Sequence, residues 1–85
     1  MTWTVTVARP AQKAVAGFPA EDQVKIEAAV QAMATDPFAG DVINLEGGGN
    51  RWRCRVGSYL IFFAVDAGAR TVEISAIVRR TSTTY

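Results

Sequence analysis

The stretch Arg51-Trp52-Arg53-Cys54-Arg55-Val56-Gly57-Ser58-Tyr59-Leu60-Ile61-Phe62-Phe63-Ala64-Val65 decides the fold. Three arginines alternate with Trp52, Cys54 and Val56, and successive side chains of a strand point to opposite faces. The pattern therefore predicts a strand with guanidinium groups on one side and apolar groups on the other. Gly57-Ser58 suits a two-residue hairpin turn, and a turn of that length sets the register. Val56 faces Tyr59, Arg55 faces Leu60, Cys54 faces Ile61, Arg53 faces Phe62, and Trp52 faces Phe63. One face of the hairpin then holds Trp52, Cys54, Val56, Tyr59, Ile61, Phe63 and Val65, a candidate core. The other holds Arg51, Arg53, Arg55, Leu60, Phe62 and Ala64. A slip by one residue would bury the arginines, so the register is strongly specified.

Working outward, Asp66 to Arg70 reads as a turn and Thr71 to Arg79 as the last strand. Strict alternation there puts Val72, Ile74, Ala76 and Val78 in the core. It places Glu73, Ser75, Ile77 and Arg79 with the arginines, so four arginines are expected on one exposed side of the sheet. Upstream, Trp3, Val5 and Val7 alternate with threonines in an opening strand. Pro10 fits the first turn of a short helix that turns Ala11, Ala14 and Val15 inward and ends at Gly17. A longer helix is predicted from Ala20 to Thr35, with Ile26, Ala29, Val30 and Met33 as its apolar stripe. Glu21 and Asp22 complement its dipole, and Asp36-Pro37 stops it. Val42 to Leu45 reads as a short strand. Gly47-Gly48-Gly49-Asn50 reads as a hairpin loop, since no helix start or Lys-Ser/Thr pair follows to make it a phosphate cradle. The expected fold is α+β: two N-terminal helices packed on one face of a mainly antiparallel, twisted sheet, in the order β-α-α-β-β-β-β. Residues 1–85 form a single domain in this reading.

Net charge is +1, but it is segregated. Residues 1–50 carry three basic groups against six acidic ones, and residues 51–85 carry six arginines against Asp66 and Glu73. Arginine forms bidentate contacts with phosphates and stacks on bases, so the second half is a surface for an anionic partner. An arginine row on a sheet, followed by Arg79-Arg80 and a terminal Tyr85, is equipped to hold a phosphodiester and stack on a nucleobase. That combination points to RNA. The chain has no histidine, which excludes a histidine acid–base pair and a histidine metal site. Neither a metal nor a cofactor is expected. The single cysteine, Cys54, rules out an internal disulfide and reads as a buried small hydrophobe. No apolar run approaches the ~18 residues of a membrane span, and the N-terminus lacks a signal-peptide layout. A cytoplasmic protein without a membrane partner is the expectation.

Several loose motifs occur together in one order. They are the Ala-x-Lys-x-Val-x-x-Phe-Pro segment starting at Ala11, the helix ending in Asp36-Pro37, Leu45-Glu46-Gly47, the Arg51–Phe63 hairpin, and Ile77-Val78-Arg79-Arg80 with a later tyrosine. In these the chain resembles the RelE/ParE superfamily of toxins from bacterial type II toxin–antitoxin pairs, over nearly its whole length. The resemblance to the RelE branch implies a ribosome-dependent endoribonuclease, an mRNA interferase. In that branch a ribose 2′-hydroxyl attacks the adjacent phosphate of ribosome-bound mRNA. Carried over residue by residue, the two strand lysines of the family fall on Arg51 and Arg53, its last-strand arginine on Arg79, and its C-terminal tyrosine on Tyr85. These four are the implied catalytic residues, with Arg55 and Arg80 as further RNA contacts. The family's arginine after the Gly-x-Tyr turn falls on Leu60, a departure. Arginine is also a poor general base; Glu46 and Glu73 are the carboxylates that could accept a proton. The implied partners are a cognate antitoxin, the ribosome and mRNA. The resemblance leaves two other functions open: the ParE branch shares the fold but inhibits DNA gyrase, and a catalytically silent member, a degenerate toxin or an RNA- or antitoxin-binding module, would share the fold alone.

Overall fold

The computed structural model describes residues 2–45, 47 and 49–80. The chain opens with strand β1 (Thr4–Val7), followed by helix α1 (Arg9–Ala16) and helix α2 (Ala20–Met33). Four strands complete it: β2 (Asp41–Asn44), β3 (Arg51–Val56), β4 (Tyr59–Asp66) and β5 (Thr71–Arg79). The five strands form one sheet in the order β1-β5-β4-β3-β2, antiparallel except for the parallel β1–β5 pair at one edge. This is the expected α+β architecture.

Local chemistry explains the elements. Ala8 is extended, and Pro10 sits in the first turn of α1, where its missing N–H is harmless. The N–H of Gly17 caps α1 on the carbonyl of Ala14. Helix α2 carries Glu21 and Asp22 in its first turn. It ends at Met33, two residues before the expected Thr35, because its last turn tightens. The N–H groups of Ala34 and Thr35 donate to Gln31 and Ala32, three residues back, a common way of satisfying terminal carbonyls. Pro37, fully buried, follows. Strand β2 begins one residue earlier than expected, at Asp41, and ends at Asn44.

The hairpin register is the expected one at every position, from Val56↔Tyr59 to Trp52↔Phe63. Gly57 supplies the left-handed turn conformation, with φ +57°. Behind the hairpin lies the core: Ile61, Phe63, Val72, Ile74 and Ile77 from the sheet against Ala11, Ile26 and Met33 from the helices. Cys54 is buried there as expected.

One expectation fails, and the reason is local. The β4–β5 ladder runs regularly to Phe63↔Ile74, then resumes at Phe62↔Ala76. Ser75 is the extra residue of a β-bulge, and its hydroxyl donates to the carbonyl of Phe62 at 3.3 Å. A bulge reverses the alternation beyond it. Ile77 is therefore buried, Val78 is exposed, and Ala76 and Val78 leave the core side predicted for them. Arg79 pairs with Tyr59, which places it on the helix-bearing face and not beside Arg51, Arg53 and Arg55. Beyond the strand, the N–H of Arg80 donates to the carbonyl of Ser58. That continues the register and gives Arg80 the open-face position.

Candidate nucleic-acid interface

The face of the sheet turned away from the helices is organised in rows across the strands. Ile43, Arg53, Phe62 and Ala76 form one row; Asp41, Arg55, Leu60 and Val78 form the next. Arg51, Ala64, Glu73 and Thr6 form the row on the other side. Neighbouring strands lie about 4.8 Å apart, so β3 carries a line of guanidinium groups along one flank of a surface whose centre is apolar and half-buried. Ile43, Leu45 and Val78 are over 40% exposed, so the arginines stand among exposed apolar side chains.

The structure brings Arg51, Arg53, Arg55 and Arg80 to this face. Arg55 is also held by its neighbour: its Nε lies 2.9 Å from Oδ2 of Asp41, with both side chains about half exposed. A pair so exposed contributes about 0–1 kcal/mol and is readily exchanged for a phosphate. Among the described residues Arg53 enters no ion pair. Phe62, half-buried, is the cross-strand partner of Arg53 and shares its row.

Arg79 lies on the opposite face, in different company. The hydroxyl of Tyr59, its cross-strand partner, donates to Oδ2 of Asp22 on α2 at 2.7 Å, and the ring packs on Phe18 with centroids 4.5 Å apart. The bond to Asp22 raises the Tyr59 pKa, burial and the Asp22 charge add to the rise, and the Arg79 charge opposes it. Tyr85 and Glu46 lie outside the described residues. The Cys54 thiol is pushed up by burial and by the charge of Asp41, which makes it a poor nucleophile.

A furrow of about 520 Å³ runs along the open face past Asn50, Arg51, Phe62, Ala64, Glu73 and Ser75. It continues into a hollow of about 420 Å³ that shares Asn50, Ala64 and Glu73 and reaches Thr6, Asp66 and Thr71. Sequence parity put Glu73 on this face; the furrow itself depends on the small Ala64 side chain and the Ser75 bulge. Among the described residues no group of three or more His, Cys, Asp or Glu side chains could hold a metal ion. No helix among them is long and apolar enough to cross a membrane.

A small α+β domain with two helices on one side of its sheet and an arginine-lined open face on the other has close relatives in shape. The RelE–RelB complex from Pyrococcus horikoshii contains a chain that superposes with a TM-score of 0.87 at 24% identity, over 98% of this chain and 100% of that one. The RelBE2 toxin–antitoxin complex of Mycobacterium tuberculosis gives 0.79 at 18% identity, over 94% and 100%. The isolated RelE toxin of E. coli gives 0.79 at 10% identity, over 95% and 87%. These likenesses show that the fold is shared with chains of those complexes and with the isolated RelE toxin. No curated protein matches the sequence. The family model for the ParE toxin of the type II toxin–antitoxin system parDE matches residues 7–83. The chain therefore belongs to the ParE toxin family and is a toxin of a type II toxin–antitoxin system.

Proposed function

We propose that this toxin inhibits translation by cleaving ribosome-bound mRNA, the open face of its sheet receiving the RNA. The observation that carries the reading is the alignment of Arg51, Arg53 and Arg55 along β3 on one face with Phe62, with Arg51 and Phe62 lining a furrow of about 520 Å³. Arg51 and Arg53 are the donors to the pentacoordinate phosphate; preorganised donors of this kind typically contribute about 10²–10³ in rate each. Arg55 and Arg80 hold flanking phosphates, Arg55 by giving up Asp41. Tyr85 stacks on a base, a contact worth about 1–3 kcal/mol. Arg79 keeps a place in the catalytic set only if its side chain folds around the end of the sheet from the Tyr59 side. The open-face arginines are thus expected to matter more.

The partner is a cognate antitoxin, as in the RelB complexes of the related structures. An apolar cleft of about 410 Å³ between the helices and the sheet, lined by Val7, Val15, Ile26, Val30 and Ile77, suits an apolar helix or strand of such a protein. The arginine face would attract its acidic residues.

The test is induced expression of wild type, Arg53→Ala and Arg79→Ala, with mapping of mRNA 5′ ends and labelled amino-acid incorporation in the first minutes. Prompt translation arrest with new 5′ ends inside reading frames is expected from wild type. Arg53→Ala should lose both and Arg79→Ala should lose less. A second reading, inhibition of DNA gyrase, is favoured by the match to the ParE family model and by Leu60 at a position where the RNA-cleaving branch has an arginine. It predicts intact messages, DNA breaks and an SOS response.

A further inference from the structure

In-line RNA cleavage needs a group that accepts the 2′-hydroxyl proton, and arginine with its very high pKa does not accept one. The open face carries such a group across from the arginines. Arg51 pairs with Ala64, and Ala64 pairs with Glu73, so Arg51 and Glu73 flank one small residue in a single row. At about 4.8 Å per strand their backbones stand about 10 Å apart, enough for a ribose and its 3′-phosphate between the two side chains. Both line the same furrow, with Asn50 on one side and Phe62 and Ser75 on the other. Glu73 is exposed and, among the described residues, enters no ion pair. Asp66, the other carboxylate of the adjoining hollow, is already engaged: its Oδ1 accepts the N–H of Ala69 at 3.1 Å and closes the β4–β5 turn.

We infer that Glu73 is the general base of this toxin, a role that rests on the RNA-cleavage reading above. The Glu73 carboxylate takes the proton from the ribose 2′-hydroxyl as the 2′-oxygen forms its bond to phosphorus. The bond from phosphorus to the 5′-oxygen breaks, that oxygen takes a proton from water, and a 2′,3′-cyclic phosphate and a 5′-hydroxyl result. Arg51, on the other side of Ala64, carries the charge that develops on the non-bridging oxygens. Glu73 later returns its proton to solvent.

The experiment is single-turnover cleavage of mRNA on programmed ribosomes by wild type, Glu73→Gln and Ala64→Leu, with ribosome binding measured in parallel. Carboxylates are ionised across about pH 6 to 8, so a carboxylate base gives a nearly flat rate profile over that range. Glu73→Gln should bind as wild type does, cleave about 100-fold or more slowly, and show a rate that climbs about tenfold per pH unit as hydroxide takes over. Ala64→Leu, which fills the gap between Arg51 and Glu73 without changing charge, should bind and cleave poorly at every pH. A wild-type rate that itself climbs tenfold per unit, or Glu73→Gln within a few-fold of wild type, overturns the assignment while leaving RNA cleavage intact. A wild type that binds ribosomes and cleaves nothing overturns the cleavage reading, and the base assignment with it.

Discussion

Replacing Tyr59 by phenylalanine isolates one contact that joins the helices to the sheet. The ring is 4% exposed and packs on Phe18; phenylalanine keeps that packing and loses only the hydroxyl. The lost bond runs to a carboxylate, Oδ2 of Asp22 at 2.7 Å. Hydrogen bonds to charged groups contribute about 1.5–3 kcal/mol when buried. Asp22 is only half-buried and recovers water when the hydroxyl leaves, so the expected loss is about 1 kcal/mol. For a domain of this length that lowers the melting temperature by about 5 °C. The pH dependence adds a second signature. The folded-state pKa of Tyr59 is raised above its ordinary value near 10, so the native state holds the proton longer than the unfolded chain does. The stabilisation is therefore complete below about pH 10 and is lost as pH rises through the folded-state value. Urea denaturation of both proteins, at neutral pH and again in strong alkali, measures this. Wild type should be the more stable at neutral pH, and the gap should close in alkali. Equal stabilities at neutral pH, or a gap that widens in alkali, would refute the Tyr59–Asp22 bond as a link that holds α2 on the sheet.

Other perturbations separate conformational, packing and electrostatic contributions. Gly57→Ala should cost about 1 kcal/mol from the left-handed turn alone, because a Cβ there meets no other atom within 4 Å; denaturant midpoints check it. Ile74→Ala, at a site with no exposed surface, should cost about 2–5 kcal/mol, a large part of a total stability of about 4–13 kcal/mol, and should show as early thermal unfolding. Asp41→Asn should change stability by less than about 1 kcal/mol. It should also free Arg55 for a phosphate and steepen the salt dependence of single-stranded RNA binding by about 0.7 in log–log slope.

The parts of the fold that were legible in the sequence are those set by local geometry. A two-residue turn at Gly57-Ser58 leaves one register for the hairpin, and the arginine alternation leaves one choice of faces. Pro10 and Pro37 mark where α1 begins and what lies beyond α2. The last strand was less legible because Ile74-Ser75-Ala76-Ile77-Val78 is apolar at either parity after Ser75. Ile77 and Val78 are both good core residues, and nothing in their identities announces the extra residue. That one bulge exchanged the faces of Arg79 and Arg80. The furrow was hidden for a similar reason: it exists because Ala64 is small and stands between Arg51 and Glu73, a three-strand relationship that no local pattern encodes. Glu73 itself was assigned to the correct face by alternation, since it precedes the bulge.

The parallel edge of the sheet has a consequence for how the molecule comes into being. Among the described strands β1 pairs with β5 alone, Thr4 lying opposite Thr71, so an early segment of this sequence must wait for one more than sixty residues later. Until β5 emerges, Val5 and Val7 have no neighbouring strand to lie beside, and the helices have an incomplete surface beneath them. Closing so long a loop before its contacts can offset the entropy slows folding. The β3–β4 hairpin pairs segments close in sequence and is expected to form early, whereas the row from Arg51 to Thr6 is complete only once β1 and β5 have met.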